Sequence, residues 1–213
     1  MSVQALVFDF GGVISKTMFE THALTERELG LAAGTLTWRG PFDPAGDEVW
    51  RAMQADEISE RDYWLHRARE TGALLSEQWS SMQEFVIRAR GANPLEIIRP
   101  EFLNCIERAE AAGVRLAILS NELDLFYGAD LRHKLPFMSR FEQVVDATYT
   151  EILKPDPRAY QQIFDGLQLA PEQCLFIDDQ ARNIKGAEAC GMRTQWFDVL
   201  DPSASYAAVI DQI

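Results

Sequence analysis

The chain has few cysteines: Cys105, Cys174 and Cys190 are the only three in 213 residues. They are odd in number and widely spaced, with no CxxC pair, which argues against a disulfide framework or a zinc site and reads as three small buried thiols in a reducing compartment. Positive charge is also short. Twenty Lys and Arg stand against thirty-three Asp and Glu, a formal net charge of −13. A surface of that sign repels nucleic-acid phosphates and anionic lipid, so neither is an expected partner, and an anionic substrate would need local help from a cation or a few placed basic groups. No apolar run approaches the ~20 residues of a membrane span. The opening MSVQALVFDF has no basic n-region and too short an apolar stretch for a signal peptide. A soluble cytoplasmic protein is therefore expected. GxGxxG, Walker, GxSxG and HExxH motifs are all missing, which leaves nucleotide-cofactor, serine-hydrolase and zinc-protease readings without support. The three histidines, His22, His66 and His133, lack metal-ligand spacing.

Apolar residues make up 47% of the chain, enough for a proper core. Val3 to Phe8 is short, apolar and partly β-branched, and it ends at Asp9 before Gly11-Gly12. That pattern predicts a strand running into a glycine loop. From about Ser15 to Asn93 the texture changes, with Trp38, Trp50, Trp64 and Trp79 set among many Glu and Arg. Ser59 followed by Asp62 resembles a capping box, and Ser76 is a candidate cap for a helix through Phe85 and Ile87. An all-helical insert of about four helices is expected there.

After Pro94 helices and strands alternate. Phe102, Ile106 and Ala109 recur at helical spacing ahead of Gly113. Leu116–Leu119, Val144-Val145, Leu175–Ile177 and Thr194–Phe197 read as short buried strands. Asp156-Pro157 is a helix start, followed by Tyr160, Ile163, Phe164 and Leu167 on one face. The alternation predicts an α/β fold: a doubly wound, Rossmann-like parallel sheet core with a small all-helical cap domain. Residues 1–14 and 94–213 would form the core and 15–93 the cap. Such sheets bind ligands outside the carboxyl ends of their strands. Asp9, Ser120 and Asp178-Asp179 all stand at such ends, far apart in sequence but on one rim.

Four ordered segments carry a resemblance to the haloacid dehalogenase superfamily: VFDFGGVI at 7–14, ILSN at 118–121, KPDPRAY at 154–160 and FIDDQARNIKGAEACGM at 176–192. The resemblance spans nearly the whole chain and implies a hydrolase, in its phosphatase-like branch with a helical cap inserted after the first motif. It implies Asp9 as nucleophile, Lys154 as the basic residue, and Ser120, Asn121 and Gly12 as substrate-binding positions. It implies Mg2+ held by Asp9, the Gly11 carbonyl and Asp179, with Asp178 ligating directly or through water. The implied reaction is hydrolysis of a small phosphorylated metabolite, such as a sugar phosphate, through an aspartyl-phosphate on Asp9.

One position departs from the phosphatase pattern. Where those enzymes carry a second Asp two residues after the nucleophile, this chain has Gly11, which cannot transfer a proton. General acid-base help is worth ~10²–10⁴-fold, and Glu122 is one candidate substitute. The departure keeps two alternatives in view: a 2-haloacid dehalogenase using Asp9 without metal, and a catalytically weak binding or regulatory member. Asp178-Asp179 favours the metal-dependent reading, because adjacent acids beside Asp9 repel without a cation. Asn183 is placed to orient Asp179 or Lys154. His22 has the best claim among the histidines to touch substrate, and Arg39 and Arg51 are the basic residues of the insert that could meet its anion. One or two of the tryptophans are expected to face the cleft.

Overall fold

The computed structural model describes residues 2–55, 57–89, 94–121 and 123–213. Five strands form one sheet: β1 (Ala5–Phe8), β2 (Arg115–Ser120), β3 (Gln143–Asp146), β4 (Cys174–Asp178) and β5 (Arg193–Trp196). Their order is β3-β2-β1-β4-β5, and every pairing is parallel. The chain winds outward from β1 to β3, then crosses back and adds β4 and β5 on the other side. The direction therefore reverses beside β1, and a ligand crevice opens where loops part in this way.

The central strands β1, β2 and β4 are mostly apolar because both faces of the sheet are covered there, whereas the edge strand β5 is polar and only partly buried. Side chains alternate. Leu6, Phe8, Leu116, Ile118, Leu175 and Ile177 point to one face, where they pack with Phe102, Ile106, Tyr206 and Val209. Ala5, Val7, Ala117, Leu119, Cys174 and Phe176 point to the other and meet Tyr160, Ile163, Phe164 and Ile184. Each large side chain so buried contributes roughly 1.5–3 kcal/mol. The expected α/β architecture is thus present.

Four α-helices lie between β1 and the next core helix: α1 (His22–Leu29), α2 (Glu48–Gln54), α3 (Glu60–Leu74) and α4 (Met82–Ala89). They enclose a separate cluster built on Phe19, Trp38, Trp50, Tyr63, Trp79 and Phe85. Phe19 is its hub, with ring centroids 5.3–5.5 Å from Trp38, Trp50 and Trp64. Gly40 takes φ +50°, and a β-carbon there would stand 2.3 Å from the Phe19 ring. Buried Asp47 ties the cluster together. It caps α2 by accepting from Trp50 N at 2.8 Å, and it also accepts from the Tyr63 hydroxyl at 3.0 Å and Arg67 at 2.5 Å. The helical segment leaves and rejoins the α/β unit through adjacent chains. Ser15 bridges Ile98 in antiparallel sense, Lys16 N donates to Ile97 O at 2.7 Å, and Arg99 N donates to Ile14 O at 3.0 Å.

The remaining helices are α5 (Pro100–Ala111), α6 (Leu123–Tyr127), α7 (Leu131–Lys134), α8 (Ala147–Thr150), α9 (Pro157–Leu167), α10 (Ala181–Ala189) and α11 (Pro202–Ile210). α9 starts as expected, with the Asp156 side chain accepting from Arg158 N and Pro157 in the first turn. α3 opens on the Ser59–Asp62 capping box. The expected cap at Ser76 is corrected: Ser76 has φ +58° and follows α3. α4 begins later because Ser80 and Ser81 share the Glu84 carboxylate, and Ser81 Oγ accepts from Glu84 N at 3.3 Å. α11 has no counterpart in the sequence reading. It is capped by Asp201, which accepts from Ala204 N at 3.0 Å, and its Tyr206 and Val209 complete one sheet face. Among the described residues, no helix is long and apolar enough to cross a membrane.

Candidate active site

β1 ends by handing Asp9 to the rim, where its amide donates to Ile177 O at 2.9 Å and so continues the sheet by one residue. The chain then makes a wide turn over Phe10–Ile14. Gly12 takes φ +79°, and a β-carbon there would lie 2.9 Å from Asp179 Oδ2. Residue 12 must therefore be glycine for two reasons, its backbone angle and the carboxylate beside it. Gly11 is exposed and has open space around it. Two side chains from distant elements clamp this turn. Arg99, itself buried, donates through Nε to Gly12 O at 3.0 Å while its other nitrogens grip Glu20 at 2.9 and 2.6 Å. The Tyr206 hydroxyl donates to Val13 O at 2.9 Å.

Lys154 lies at the centre of the rim. Its ammonium donates to Asp9 Oδ1 and to Asp178 Oδ2, both at 2.7 Å, and its side chain is 1% exposed. Burial opposes its charge, but the adjacent Asp178 and Asp9 outweigh burial and hold its pKa above the ordinary lysine value. The backbone of Lys154 is fixed by Asn121. Asn121 Oδ1 accepts from Lys154 N at 2.7 Å, and its Nδ2 donates to Lys154 O at 3.2 Å. Asn121 lines the cavity, yet both ends of its side-chain amide are engaged in positioning Lys154.

The two adjacent acids have different surroundings. Asp178 is fully buried and accepts from Lys154, from Gln180 N at 2.8 Å and from Asn183 Nδ2 at 3.1 Å to each oxygen. Asn183 thus orients Asp178, where the sequence reading had placed it against Asp179 or Lys154. Asp179 instead faces the cavity. Its carbonyl accepts from the Trp196 indole at 3.0 Å, and its carboxylate receives one long contact from Gln180 at 3.4 Å.

One carboxylate oxygen from each of Asp9, Asp178 and Asp179 can be chosen so that all three lie within 4.8 Å of one another. Two of these carboxylates, Asp9 and Asp178, touch the Lys154 ammonium and Asp179 does not. Burial first, then the Asp178 charge, raises the Asp9 pKa to about 7 despite Lys154. Burial, Asp178 and Asp9 raise that of Asp179 well above the carboxylate range. Fully ionised, the three carboxylates would carry more negative charge than the one ammonium neutralises. A hard divalent cation takes oxygen donors of this kind, so the donor set fits one.

A cavity of about 110 Å³ lies over the rim and beneath the helical segment. Asp9, Gly11, Gly12, Ser120, Lys154 and Asp179 line its floor. Trp50 and Trp64 face it, while Trp38 and Trp79 pack inside the helical cluster. His22 does not line it. The ring is buried against Trp38 at 4.2 Å, with no hydrogen-bond partner for either nitrogen. Arg39 and Arg51 do not line it either, and Arg51 turns to the carbonyls of Pro44 and Ala45. Glu122 lies outside the described residues. Sequence reasoning missed Arg99, Tyr206 and the ion pair of Glu60 with Arg182 at 2.7 Å, which joins α3 to α10 beside the cavity. A lone Arg or Tyr in a helical pattern carries no signal of a contact made roughly 80 to 190 positions away.

The profile of a family described as haloacid dehalogenase-like hydrolase matches residues 3–191. A phosphatase of Mycobacterium tuberculosis is 27% identical over 202 residues, covering 93% of this chain and 88% of that protein. An (S)-2-haloacid dehalogenase of Burkholderia cepacia is 27% identical over 208 residues, covering 91% and 82%. A solved L-2-haloacid dehalogenase superposes with a TM-score of 0.61 at 19% identity, covering 93% of this chain and 87% of that one.

Proposed function

Because the chain belongs to the haloacid dehalogenase-like hydrolase family, we propose that it hydrolyses small phosphate monoesters through an aspartyl-phosphate on Asp9, with Mg2+ as cofactor. The observation that supports this most is the convergence of three carboxylates at the rim, two of them held by the Lys154 ammonium and the third, Asp179, facing the cavity with no cation beside it among the described contacts. A metal-free dehalogenase would bear the repulsion among them together with its substrate's carboxylate and no added cation, whereas a phosphatase brings Mg2+ to offset the phosphate dianion. Mg2+ would be held by Asp9, the Gly11 carbonyl and Asp179. Asp178, whose oxygens are already engaged with Lys154, Asn183 and the Gln180 amide, would act on the metal through water. Bound there, the metal would neutralise the phosphoryl group and lower the cost of bringing a dianion to a carboxylate.

The chain's own residues do the rest. Lys154 holds Asp9 Oδ1 at 2.7 Å and so fixes the carboxylate for in-line attack on phosphorus. The phosphorus–oxygen bond to the leaving group breaks as the bond to Asp9 forms, and water then cleaves the aspartyl-phosphate. Ser120 and the backbone amides after Gly11 would hold phosphoryl oxygens, while Lys154 stabilises the charge that moves to them. Residues 15–93 would serve as a cap that closes over the cavity and excludes water.

The test is a phosphatase assay with magnesium and with chelator, beside Asp9→Asn. Magnesium-dependent release of phosphate, lost in the variant, is the expected result. The presence of 2-haloacid dehalogenases among the relatives supplies a second reading. It predicts halide release from 2-haloacids that chelator leaves unchanged, and that outcome without phosphate release would replace the first.

A further inference from the structure

Resting on the phosphatase reading, we propose that the substrate is an aryl phosphate, whose leaving group is a phenol and not a sugar or other polyhydroxylated alcohol. Two independent observations lead there.

The first is the lining above the phosphate floor. The helical segment contributes Met18, Phe19, Trp50, Trp64, Met82 and Val86 to the cavity wall, and the opposite side adds Phe10, Leu123 and Phe126. Two polar side chains on the helical half are engaged elsewhere. Thr17 is locked with Glu20, donating through Oγ1 to Oε2 at 2.9 Å and accepting at Oγ1 from the Glu20 amide at 3.2 Å. Glu60 pairs with Arg182 at 2.7 Å. A sugar carries several hydroxyls, each needing partners once water is excluded. Buried hydroxyls without partners cost binding energy. A flat apolar ring asks for none and gains from edge and face contacts with the surrounding aromatics.

The second observation is the missing proton donor. Gly11 offers no acid, and among the described residues lining the cavity the carboxyl groups are Asp9, Asp179 and the Arg182-paired Glu60. An alkoxide must be protonated as it leaves, because its conjugate acid has a pKa near that of water, about 16. A phenolate, at about 10, departs far more readily unassisted. A largely apolar wall, and a nucleophile loop with glycine where an acid would stand, thus favour the same class of ester.

The experiment compares kcat/KM for 2-naphthyl phosphate and for glucose 6-phosphate on the same magnesium-loaded preparation, with Asp9→Asn as the background. A ratio of at least a hundred in favour of the aryl ester is expected. Across a series of substituted phenyl phosphates, kcat is expected to rise steeply as the phenol pKa falls. Glucose 6-phosphate turned over as well as the aryl ester, or a rate indifferent to phenol pKa, would overturn the inference while leaving the phosphatase reading intact. Failure of both esters would instead remove the phosphatase reading and this inference with it.

Discussion

Gly12 and Asp179 stand so close that a β-carbon on residue 12 would come within 2.9 Å of the Asp179 carboxylate. The first loop thereby holds the acid proposed to meet the metal. Gly12→Ala forces φ +79° on a residue that avoids it and pushes Asp179 aside. Magnesium affinity measured by calorimetry is expected to fall about 10–100-fold, the range seen when groups that orient ligands are lost. Phosphatase activity should fall with it.

Lys154 donates at 2.7 Å to each of two carboxylates, the half-buried Asp9 and the fully buried Asp178. Lys154→Met leaves Asp9 and Asp178 facing each other without it. Breaking a buried pair on one side typically costs about 3–5 kcal/mol, so the metal-free variant should melt well below the parent. Magnesium should recover part of that loss in a thermal scan while kcat stays depressed, because the ion supplies charge but not the lysine's hold on Asp9.

Arg99 joins Gly12 O to Glu20, and its guanidinium is 3% exposed in side-chain area. Arg99→Lys keeps the charge but cannot reach both partners with a planar fork. The nucleophile loop should loosen. The expected signature is a kcat reduced at least about tenfold with a smaller change in KM, read from steady-state kinetics.

His22 carries a stability prediction. Burial first, then Arg39, lowers its pKa to about 4, against a partial opposing pull from Glu26. The folded form therefore binds its proton less readily than the unfolded form, whose value is near 6.5. The stability of the neutral state is complete above about pH 6.5. It is lost progressively as the pH falls toward 4, up to about 3 kcal/mol at 1.36 kcal/mol per unit. Denaturant melts at pH 7.5 and 4.5 should show a larger drop for the parent than for His22→Phe, and equal drops would refute the assignment.

The sheet and the site were legible to different depths. The strand ends could be placed because apolar β-branched runs stop at charged or glycine residues, as at Phe8-Asp9 and Ile177-Asp178. The rim constellation followed from parallel topology, which brings such ends together. The distinct surroundings of Asp178 and Asp179 were not legible, since neighbours in sequence point to opposite sides of a strand and only packing shows which side is open. The place of His22 was not legible, because an isolated histidine near the insert's entry looks the same whether it faces solvent, substrate or Trp38. α11 was missed because its pattern is apolar nearly all round, with Ala and Ser between its contacts, and gives no clear amphipathic period.

The paired crossing at Ser15 and Ile98 places the departure and return of the helical segment side by side. An insertion whose two ends already touch puts little length constraint on what lies between them. The sheet, the rim and Lys154 with its two carboxylates owe their connectivity to none of it. The catalytic floor can therefore keep one chemistry while the loop of chain above it is exchanged, lengthened or trimmed. In an enzyme so divided, substrate choice and reaction type are free to change at different rates.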